Sequence, residues 1–229
     1  MKADLHIHTF YSCDGISSPE EVVKAALSRG INCVCITDHG EIKGAVEVLR
    51  AAYDQDILVI PGIEIKSKLG DVLGINVKKI IPDNLSLEET VKEIRKEGGM
   101  AIIPHPFSWP IMAFQGKGED LLLADGIEVF NSYLFDFSNR KAFGFAQKYN
   151  LSFTAGSDAH DAESIGRAFI EIPKNNPPST PEEVLEEIKN RRVRVDGEVF
   201  TILEIGKDHS KRWLKRLIKN GFISKTRKI

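Results

Sequence analysis

Short apolar runs alternate with amphipathic stretches along almost the whole chain. Apolar runs without in–out alternation are typical of strands buried on both faces. They cover residues 31–36, 57–65, 72–77, 100–103, 126–130, 151–154 and 168–172. Because strand and helix patterns alternate, we expect a parallel α/β architecture. Roughly seven such units in a chain of this length favour a small (β/α) barrel over an open sheet.

Three predicted helices begin in the same way, with a hydroxyl side chain at the N-cap and glutamate three residues later. This arrangement satisfies backbone N–H groups that the first helical turn leaves free. Apolar residues then recur at helical spacing. These helices start after Ser18, Ser86 and Thr180, and further helices are predicted at 43–53 and 139–149.

The composition is that of a globular protein, with 42% hydrophobic and 28% charged residues. No apolar run approaches the length needed to cross a bilayer, so we expect no membrane partner. Residues 1–4 lead straight into a strand and do not resemble a secretory signal. Cys33 and Cys35 alternate along one predicted strand, which favours buried thiols in a reducing compartment over a metal or redox pair. We therefore expect a cytoplasmic protein.

Charge is distributed unevenly along the chain. Residues 201–229 contain nine Lys or Arg and two Asp or Glu, against 31 and 33 in the whole chain. The tail is therefore near +7 and the remainder near −9 by direct count. Trp213, Leu214 and Leu217 recur at helical spacing, with basic residues on the other face. We expect a barrel over 1–200 and a basic amphipathic helix and tail over 201–229, packed on the barrel through its apolar stripe.

The candidate chemistry lies where predicted strands end. His6 and His8 are two residues apart on a strand and therefore point to the same side. The carboxyl ends of parallel strands meet at one face of a barrel, so ligands distant in sequence converge there. The sequence predicts a metal centre at this face. Its candidate ligands are His6, His8, Asp14, His39, Glu64, His105, Asp158 and His160.

Each of these residues has an ordinary structural explanation when it is taken alone. A carboxylate often caps a turn, and a single histidine is more often hydrogen-bonded than bound to metal. The set is harder to explain in this way, because five of the six histidines and three carboxylates fall at strand ends. The exception is His209, which we place on the solvated face of the tail.

In order along the chain, five segments resemble the motifs of the PHP (polymerase and histidinol phosphatase) family. The resemblance runs from residue 2 to about residue 170. It implies a distorted (β/α)7 barrel, two or three divalent metal ions (Zn, Mn or Fe), and hydrolysis of phosphate esters. The segments are His6-Ile7-His8-Thr9 with Asp14-Gly15, Thr37-Asp38-His39-Gly40, Gly62-Ile63-Glu64, His105-Pro106, and Gly156-Ser157-Asp158-Ala159-His160.

The same resemblance implies how the ligands are shared. One metal would be held by His6, His8, Glu64 and Asp158, a second by Asp14, His39 and His160, and a third by Glu64 with His105. The chain departs from the family pattern at Asn131, where many relatives have histidine or cysteine, and at Asp71, where some relatives have histidine. Since both side chains offer oxygen, which suits Mn better than Zn, we expect a weak or Mn-selective third site.

The metals imply the reaction, in which a metal-activated hydroxide attacks phosphorus. Asp38 is expected to orient the His39 ring, and Arg167 to clamp a substrate phosphate. Lys66, Lys68, Arg140 and Lys141 are weaker phosphate candidates, for which a surface charge is the favoured explanation; for Arg167 the two explanations are balanced. Residues 107–119, which include Trp109 and Phe114, suit either a lid over the site or a packed loop.

We therefore expect a phosphoesterase that hydrolyses a phosphomonoester of a small metabolite or nucleotide. The alternative is a nuclease or oligonucleotide phosphatase that uses the basic tail to bind nucleic acid. A third hypothesis is a non-catalytic nucleic-acid-binding barrel. The near-complete set of metal-ligand candidates disfavours it.

Overall fold

The computed structural model describes residues 1–108, 114–173 and 175–219. Nine strands lie in these residues: β1 (Lys2–Ile7), β2 (Cys33–Ile36), β3 (Leu58–Ser67), β4 (Gly70–Ile75), β5 (Met100–Ile103), β6 (Gly126–Asn131), β7 (Ser152–Gly156), β8 (Ala168–Glu171) and β9 (Arg194–Gly197). The α-helices are α1 (Pro19–Ser28), α2 (Lys43–Ala51), α3 (Leu87–Lys96), α4 (Asp136–Tyr149), α5 (Pro181–Lys189) and α6 (Ile202–Lys219).

The strands form one sheet that curls into a nearly closed barrel. Their order is β7-β6-β5-β4-β3-β2-β1-β8-β9. Closure comes from a parallel bridge between Ile7, at the end of β1, and Ala159, just after β7. The His8 N–H donates to the Ala159 carbonyl at 2.8 Å. The α/β barrel expected from the sequence is therefore confirmed.

Three strands, β4, β8 and β9, depart from the parallel architecture that the sequence predicts. β4 pairs antiparallel with both β3 and β5, and β8 pairs antiparallel with β1 and β9. β3 and β4 form a hairpin without a helix between them; its turn is closed by Ser67, whose Oγ donates to the Gly70 carbonyl at 2.6 Å. Gly70 has φ +133°, which a side chain would oppose. The expected parallel pairing holds for β1–β2, β2–β3, β5–β6 and β6–β7 but not for β4, β8 and β9. Loss of in–out alternation indicates burial on both faces and does not fix strand direction.

The barrel interior and its outer faces bury separate apolar clusters. Outside, α1 and α2 pack on one side of the sheet and α3 and α4 on another. Inside, α5 joins the strands near their amino ends, where Asn76 donates to Glu182 at 3.0 Å. This leaves the carboxyl ends of the parallel strands free to carry the site. The inner cluster includes Ala3, Leu5, Cys33, Cys35, Ile60, Leu73, Ile75, Met100 and Ile102, with Val184, Leu185 and Ile188 of α5.

The helix starts follow the capping pattern of the sequence. Ser18 and Ser86 each form a complete capping box, and Thr180 accepts the Glu183 N–H. α4 begins at Asp136, three residues before the start predicted from the sequence. The prediction missed this start because its N-cap residue, Phe135, has no capping side chain. Both Cys33 and Cys35 are buried, as expected.

Helix α6 contacts the barrel through polar side chains. Glu204 pairs with Arg167 at 2.9 Å, and Lys211 lies 3.3 Å from Asp161. Trp213 is 64% exposed, so at this residue the expected burial of the apolar stripe against the barrel is wrong. The last ten residues of the predicted tail lie outside the described part of the chain. Within that part, no helix has the length and apolar character that a bilayer crossing requires.

Truncation of the inner cluster should destabilise the whole barrel. Leu73 is fully buried, and we expect Leu73→Ala to lower the free energy of unfolding by about 2–5 kcal/mol, measured by urea denaturation. Leu49→Ala on α2 is the control, because Leu49 is 44% exposed and should change stability by about 0.5 kcal/mol or less. Equal losses in the two variants would contradict this description of the core.

Candidate metal centre

All eight predicted ligands converge at the carboxyl ends of the strands. They form four overlapping groups, in each of which one ligand atom per residue lies within 4.8 Å of the others. The ligand role of each residue stays a prediction, whereas their proximity is a property of the fold. The groups are His6–His8–Asp158, His6–Glu64–His105, His8–Asp14–His160 and His8–His39–Glu64.

The end of β1 supplies the centre of the cluster. Nε2 of His8 lies 3.2 Å from Oε2 of Glu64 and 3.3 Å from Oδ1 of Asp158. Nε2 of His6 faces the same two oxygens at 3.2 and 3.4 Å. His8 Nε2 is buried without a hydrogen-bond partner. Two imidazole nitrogens and two carboxylate oxygens that face one point fit a divalent cation such as Zn or Mn.

A second set of ligands lies beside His8. Oδ2 of Asp14 is 3.1 Å from Nε2 of His160 and 3.5 Å from Nε2 of His39. The rings of His39 and His160 both stack on His8, with centroids 4.8 and 4.5 Å away. Ser12 holds Asp14 in place by donating to Oδ1 at 2.7 Å. Asp14 and His160 form one ligand group with His8, whereas His39 forms another with His8 and Glu64. The assignment of Asp14, His39 and His160 to one second metal stays a prediction.

Glu64 lies between these sets and His105. Its Oε1 is 3.7 Å from Nε2 of His105, and its Oε2 is 3.6 Å from Nδ1 of His39. A carboxylate with its two oxygens facing different nitrogens is placed to bridge two cations. His39 and Glu64 are also joined through the backbone, by a parallel bridge between β3 and the segment after β2.

Close packing and backbone strain mark the site. His105 and Asp158 have φ angles of +34° and +56°, in a region that residues other than glycine rarely occupy. Strain of this kind persists where the surrounding structure imposes it, often at functional sites. Gly156, at the end of β7, has no space for a side chain, because a Cβ there would lie 2.3 Å from the Cβ of His6.

Opposite charges compensate one another in this buried cluster. Burial alone would lower the pKa of His8, but the carboxylates of Asp158 and Glu64 outweigh it and raise that pKa to about 10. Burial would likewise raise the pKa of Asp14, yet hydrogen bonds from His160 and His39 hold it well below its usual range. Without metal, the protonated ring of His8 therefore supplies positive charge among these carboxylates.

Asp38 has a different role from the one expected. It does not orient the His39 ring; it accepts the Thr9 N–H at 2.6 Å and the Thr9 hydroxyl at 2.7 Å. Asp38 thus fixes the loop that follows His8. Gly44 of α2 gives it space, since a Cβ there would lie 1.8 Å from a carboxylate oxygen of Asp38. The prediction failed because sequence adjacency to His39 does not reveal which way the carboxylate points.

Arg167 faces away from the ligand cluster. Its guanidinium pairs with Glu204 of α6 and lies over the Phe200 ring, 4.0 Å from the centroid. Phe200 in turn packs on Tyr133, whose ring meets His160 edge-on. The expected phosphate clamp is therefore two aromatic rings away from the nearest ligand candidate in this arrangement.

Asn131 lies at the cluster, but the expectation of an oxygen ligand there is wrong. Its Oδ1 accepts the Tyr133 backbone N–H at 2.9 Å. Its amide nitrogen therefore faces the site and donates to Glu128 at 2.9 Å and to Asp158 at 3.3 Å. An amide NH2 has no lone pair to give a metal. Asp71 is part-buried near Glu64, and burial together with the Glu64 charge raises the pKa of its carboxyl.

The other cations predicted near the substrate have local partners or exposed positions. Arg140 pairs with Asp136 within α4, and Lys141 lies over the Phe107 ring. Lys66 and Lys68 are exposed. Within residues 107–119, Phe114 is buried in an outer cluster. The choice between a lid and a packed loop stays a prediction, because residues 109–113 lie outside the described part of the chain. Trp109 lies outside the described residues.

Two buried carboxylates near the cluster were missed by sequence reasoning. Asp4 accepts the Ser157 N–H and hydroxyl and the Gly166 N–H, and burial raises the pKa of Asp4 to about 6. It thereby ties β1 to the loop that carries Asp158. Glu128 on β6 contacts His6 through Nδ1 at 3.1 Å. The available signal was a single acidic residue inside each otherwise apolar strand, because a carboxylate is buried there only with partners.

Comparison with protein families identifies the chain. A model of the PHP domain matches residues 4–223. The chain belongs to the PHP family. The resemblance of its motifs is thereby confirmed, and the match extends into α6. The division of the chain at residue 200 stays a prediction.

The relatives of this PHP protein include uncharacterised proteins and a nuclease. An uncharacterised protein of Methanocaldococcus jannaschii is 41% identical over 143 residues, which are 58% of this chain and 83% of the relative. A second from the same organism is 31% identical over 183 residues, 77% of this chain and 72% of the relative. A 5′-3′ exoribonuclease of Haemophilus influenzae is 33% identical over 105 residues, covering 44% and 38% of the two chains.

Solved structures share the fold of this PHP protein. A two-domain protein of Bacteroides vulgatus, containing a predicted PHP-like metal-dependent phosphoesterase, has a TM-score of 0.73 at 20% identity. The similarity covers 86% of this chain and 65% of that one. A protein of Bifidobacterium adolescentis assigned as a metal-dependent phosphoesterase has a TM-score of 0.62 at 16% identity, covering 88% and 97%.

Metal binding should release protons. Because the pKa of His8 is raised to about 10, its ring carries a proton at neutral pH when no metal is bound, and neighbouring carboxylates raise the pKa values of His39 and His105 as well. Metals bind neutral imidazole, so apparent affinity should rise with pH, about tenfold per unit for each proton released. Titration calorimetry with Mn²⁺ at pH 7, in two buffers of different ionisation enthalpy, should give different heats. Identical heats would contradict this account.

Proposed function

We propose that this protein is a metal-dependent phosphoesterase that hydrolyses a phosphomonoester of a small metabolite or nucleotide. The observation that carries the proposal is the arrangement around His8, where nitrogen and carboxylate ligands form overlapping groups. Adjacent groups that share His8 and Glu64 suit two or three cations a short distance apart. Zn, Mn and Fe are the candidate metals, because imidazole with carboxylate suits each of them.

When bound, divalent ions lower the pKa of coordinated water and neutralise charge on phosphate oxygens. The protein contributes the position and protonation of their ligands. Thr9 and Asp38 fix the loop after His8, and Asp4 fixes the loop of Asp158 and His160. Ligands held on rigid strand ends cost little reorganisation during the reaction. No side-chain nucleophile is required.

The accessible side of the cluster indicates where substrate enters. The side chain of His39 is 31% exposed, whereas His6 and His8 are fully buried. A phosphate group would therefore approach past His39 and Asp14. Tyr11 lies in the loop after His8, where its ring contacts Lys43 at 5.0 Å and stacks on Phe10 at 4.3 Å. The buried thiols of Cys33 and Cys35 fit a reducing compartment such as the cytoplasm.

Loss of a central ligand should abolish turnover. We expect Mn²⁺-loaded protein to release phosphate from one member of a panel of histidinol phosphate, mononucleotides, sugar phosphates and a nucleoside 3′,5′-bisphosphate. Replacing groups that merely orient metal ligands costs about 10–100-fold, so His8→Ala should lose more than about 100-fold. His209→Ala on α6 is the matched control and should keep full activity. No metal-dependent release from any member would contradict the proposal.

Hydrolysis of a nucleic acid is the second candidate. It is favoured by the similarity to the exoribonuclease of Haemophilus influenzae and by the excess of basic residues after residue 200. A basic helix would bind phosphate groups of the strand, and its contribution would weaken with salt.

The two candidates differ in their dependence on the tail. If an oligonucleotide with a 5′-phosphate is the substrate, Lys215→Glu with Arg216→Glu should raise KM severalfold at 50 mM salt and flatten its salt dependence. Turnover of a mononucleotide should not change in this variant. An unchanged KM for the oligonucleotide would exclude a role of the tail in substrate binding.

A further inference from the structure

One buried carboxylate contacts three different parts of the ligand cluster. Glu128 is 1% exposed at the centre of the site. Its Oε1 lies 3.1 Å from Nδ1 of His6. Its Oε2 accepts the backbone N–H of His105 at 2.9 Å and the side-chain amide of Asn131 at 2.9 Å. None of the four ligand groups formed by the described residues includes Glu128.

The contact with His6 selects which ring nitrogen is free for a metal. A carboxylate accepts a hydrogen bond, so the His6 ring must carry a proton on Nδ1. A cation placed between Nε2 and the two carboxylates that it faces, Glu64 and Asp158, would then take the place of the Nε2 proton. In the other tautomer, Nδ1 would present a lone pair to a carboxylate and Nε2 would carry the proton, which blocks coordination.

The contact with His105 explains how a strained ligand is held. His105 follows β5 with a positive φ, a conformation that needs external support. Its backbone N–H donates to Glu128, so β6 fixes the position of this residue. The same carboxylate thus constrains one ligand through its ring and another through its main chain.

Asn131 completes the arrangement by donating to the carboxylates of Glu128 and Asp158. Its amide nitrogen bonds Glu128 and Asp158, while its oxygen is used by the Tyr133 N–H. Two donors on Oε2 hold Glu128 with Oε1 directed at His6. A histidine or cysteine at position 131 could ligate a metal directly, whereas this asparagine orients groups that do so.

We propose that Glu128 is the positioning residue of the metal centre: it fixes the His6 tautomer and the His105 backbone, with Asn131 as its support. The role deepens the proposed function, since it assumes that the cluster binds metal. It does not require that the substrate be a phosphate ester. It assigns Asn131 to the support of the site and not to its ligands.

Glu128→Gln tests this role with little change of shape. The amide oxygen of the glutamine can replace Oε2 and accept from both the His105 N–H and the Asn131 NH2. Its NH2 then faces Nδ1 of His6 and, as a donor, favours the tautomer with a lone pair on Nδ1. With Zn²⁺ alone and no substrate, we expect affinity measured by chelator competition to fall about 10–100-fold. Nitrogen-15 spectra of the Zn-loaded protein should show His6 protonated on Nδ1 in the wild type and a mixed or reversed tautomer in the variant.

The matched control is Glu187→Gln. Glu187 is also a buried carboxylate, but it pairs with Arg192, away from the cluster. This variant should keep wild-type Zn²⁺ affinity even if it lowers the unfolding midpoint. Asn131→Ala is the second variant, usable if Glu128→Gln fails to fold, and should weaken Zn²⁺ binding about tenfold.

Three outcomes would overturn the inference. The first is that Glu128→Gln leaves both the Zn²⁺ affinity and the His6 tautomer unchanged; Asn131→Ala takes its place if that variant does not fold. The second is that Glu187→Gln loses as much Zn²⁺ affinity as Glu128→Gln. The third is that the wild-type protein does not bind Zn²⁺. A failed phosphatase assay alongside the expected loss of Zn²⁺ affinity would reject the proposed function and leave the role of Glu128 supported.

Discussion

The structure depends on compensation of charge in the buried histidine–carboxylate cluster. His6, His8, Glu64 and Glu128 have almost no exposed surface, and an isolated ion at such depth would be strongly unfavourable. Paired, each offsets the cost of burying the others, which is why the pKa of His8 rises while that of Asp14 falls. A bound cation would replace the histidine protons in this balance. The same nitrogen and carboxylate ligands therefore suit either the histidine protons or a cation.

Barrel closure brings the two halves of the cluster together. His6 and His8 lie at the start of the chain, and Asp158 and His160 lie about 150 residues later. The bridge between Ile7 and Ala159 places them side by side, and Gly156 allows the approach because it has no side chain. Asp4 holds the same junction through Ser157 and Gly166. Closure and ligand convergence are thus one structural event, and a change that opens this seam should damage folding and metal binding together.

Much of the site was predictable because strand ends impose a common location. His-x-His on one strand, and single ligands after the next strands, require only that the strands be parallel near their carboxyl ends. The roles of Asp38, Arg167 and Asn131 were not predictable. Asp38 turns to Thr9, Arg167 turns to Glu204, and Asn131 directs its nitrogen to the cluster. Each orientation depends on a partner from a distant segment.

The sequence by itself determined the described strands other than β9, the capped helices, the barrel class and the ligand candidates, since these follow from local periodicity and from residue type. Tertiary structure alone decided the antiparallel direction of β4, because a buried apolar run is compatible with either strand direction. It also decided that α6 contacts the barrel through Glu204 and Lys211, with Trp213 exposed. Finally, it made Glu128 part of the centre, because the function of a buried carboxylate is set by the groups that surround it.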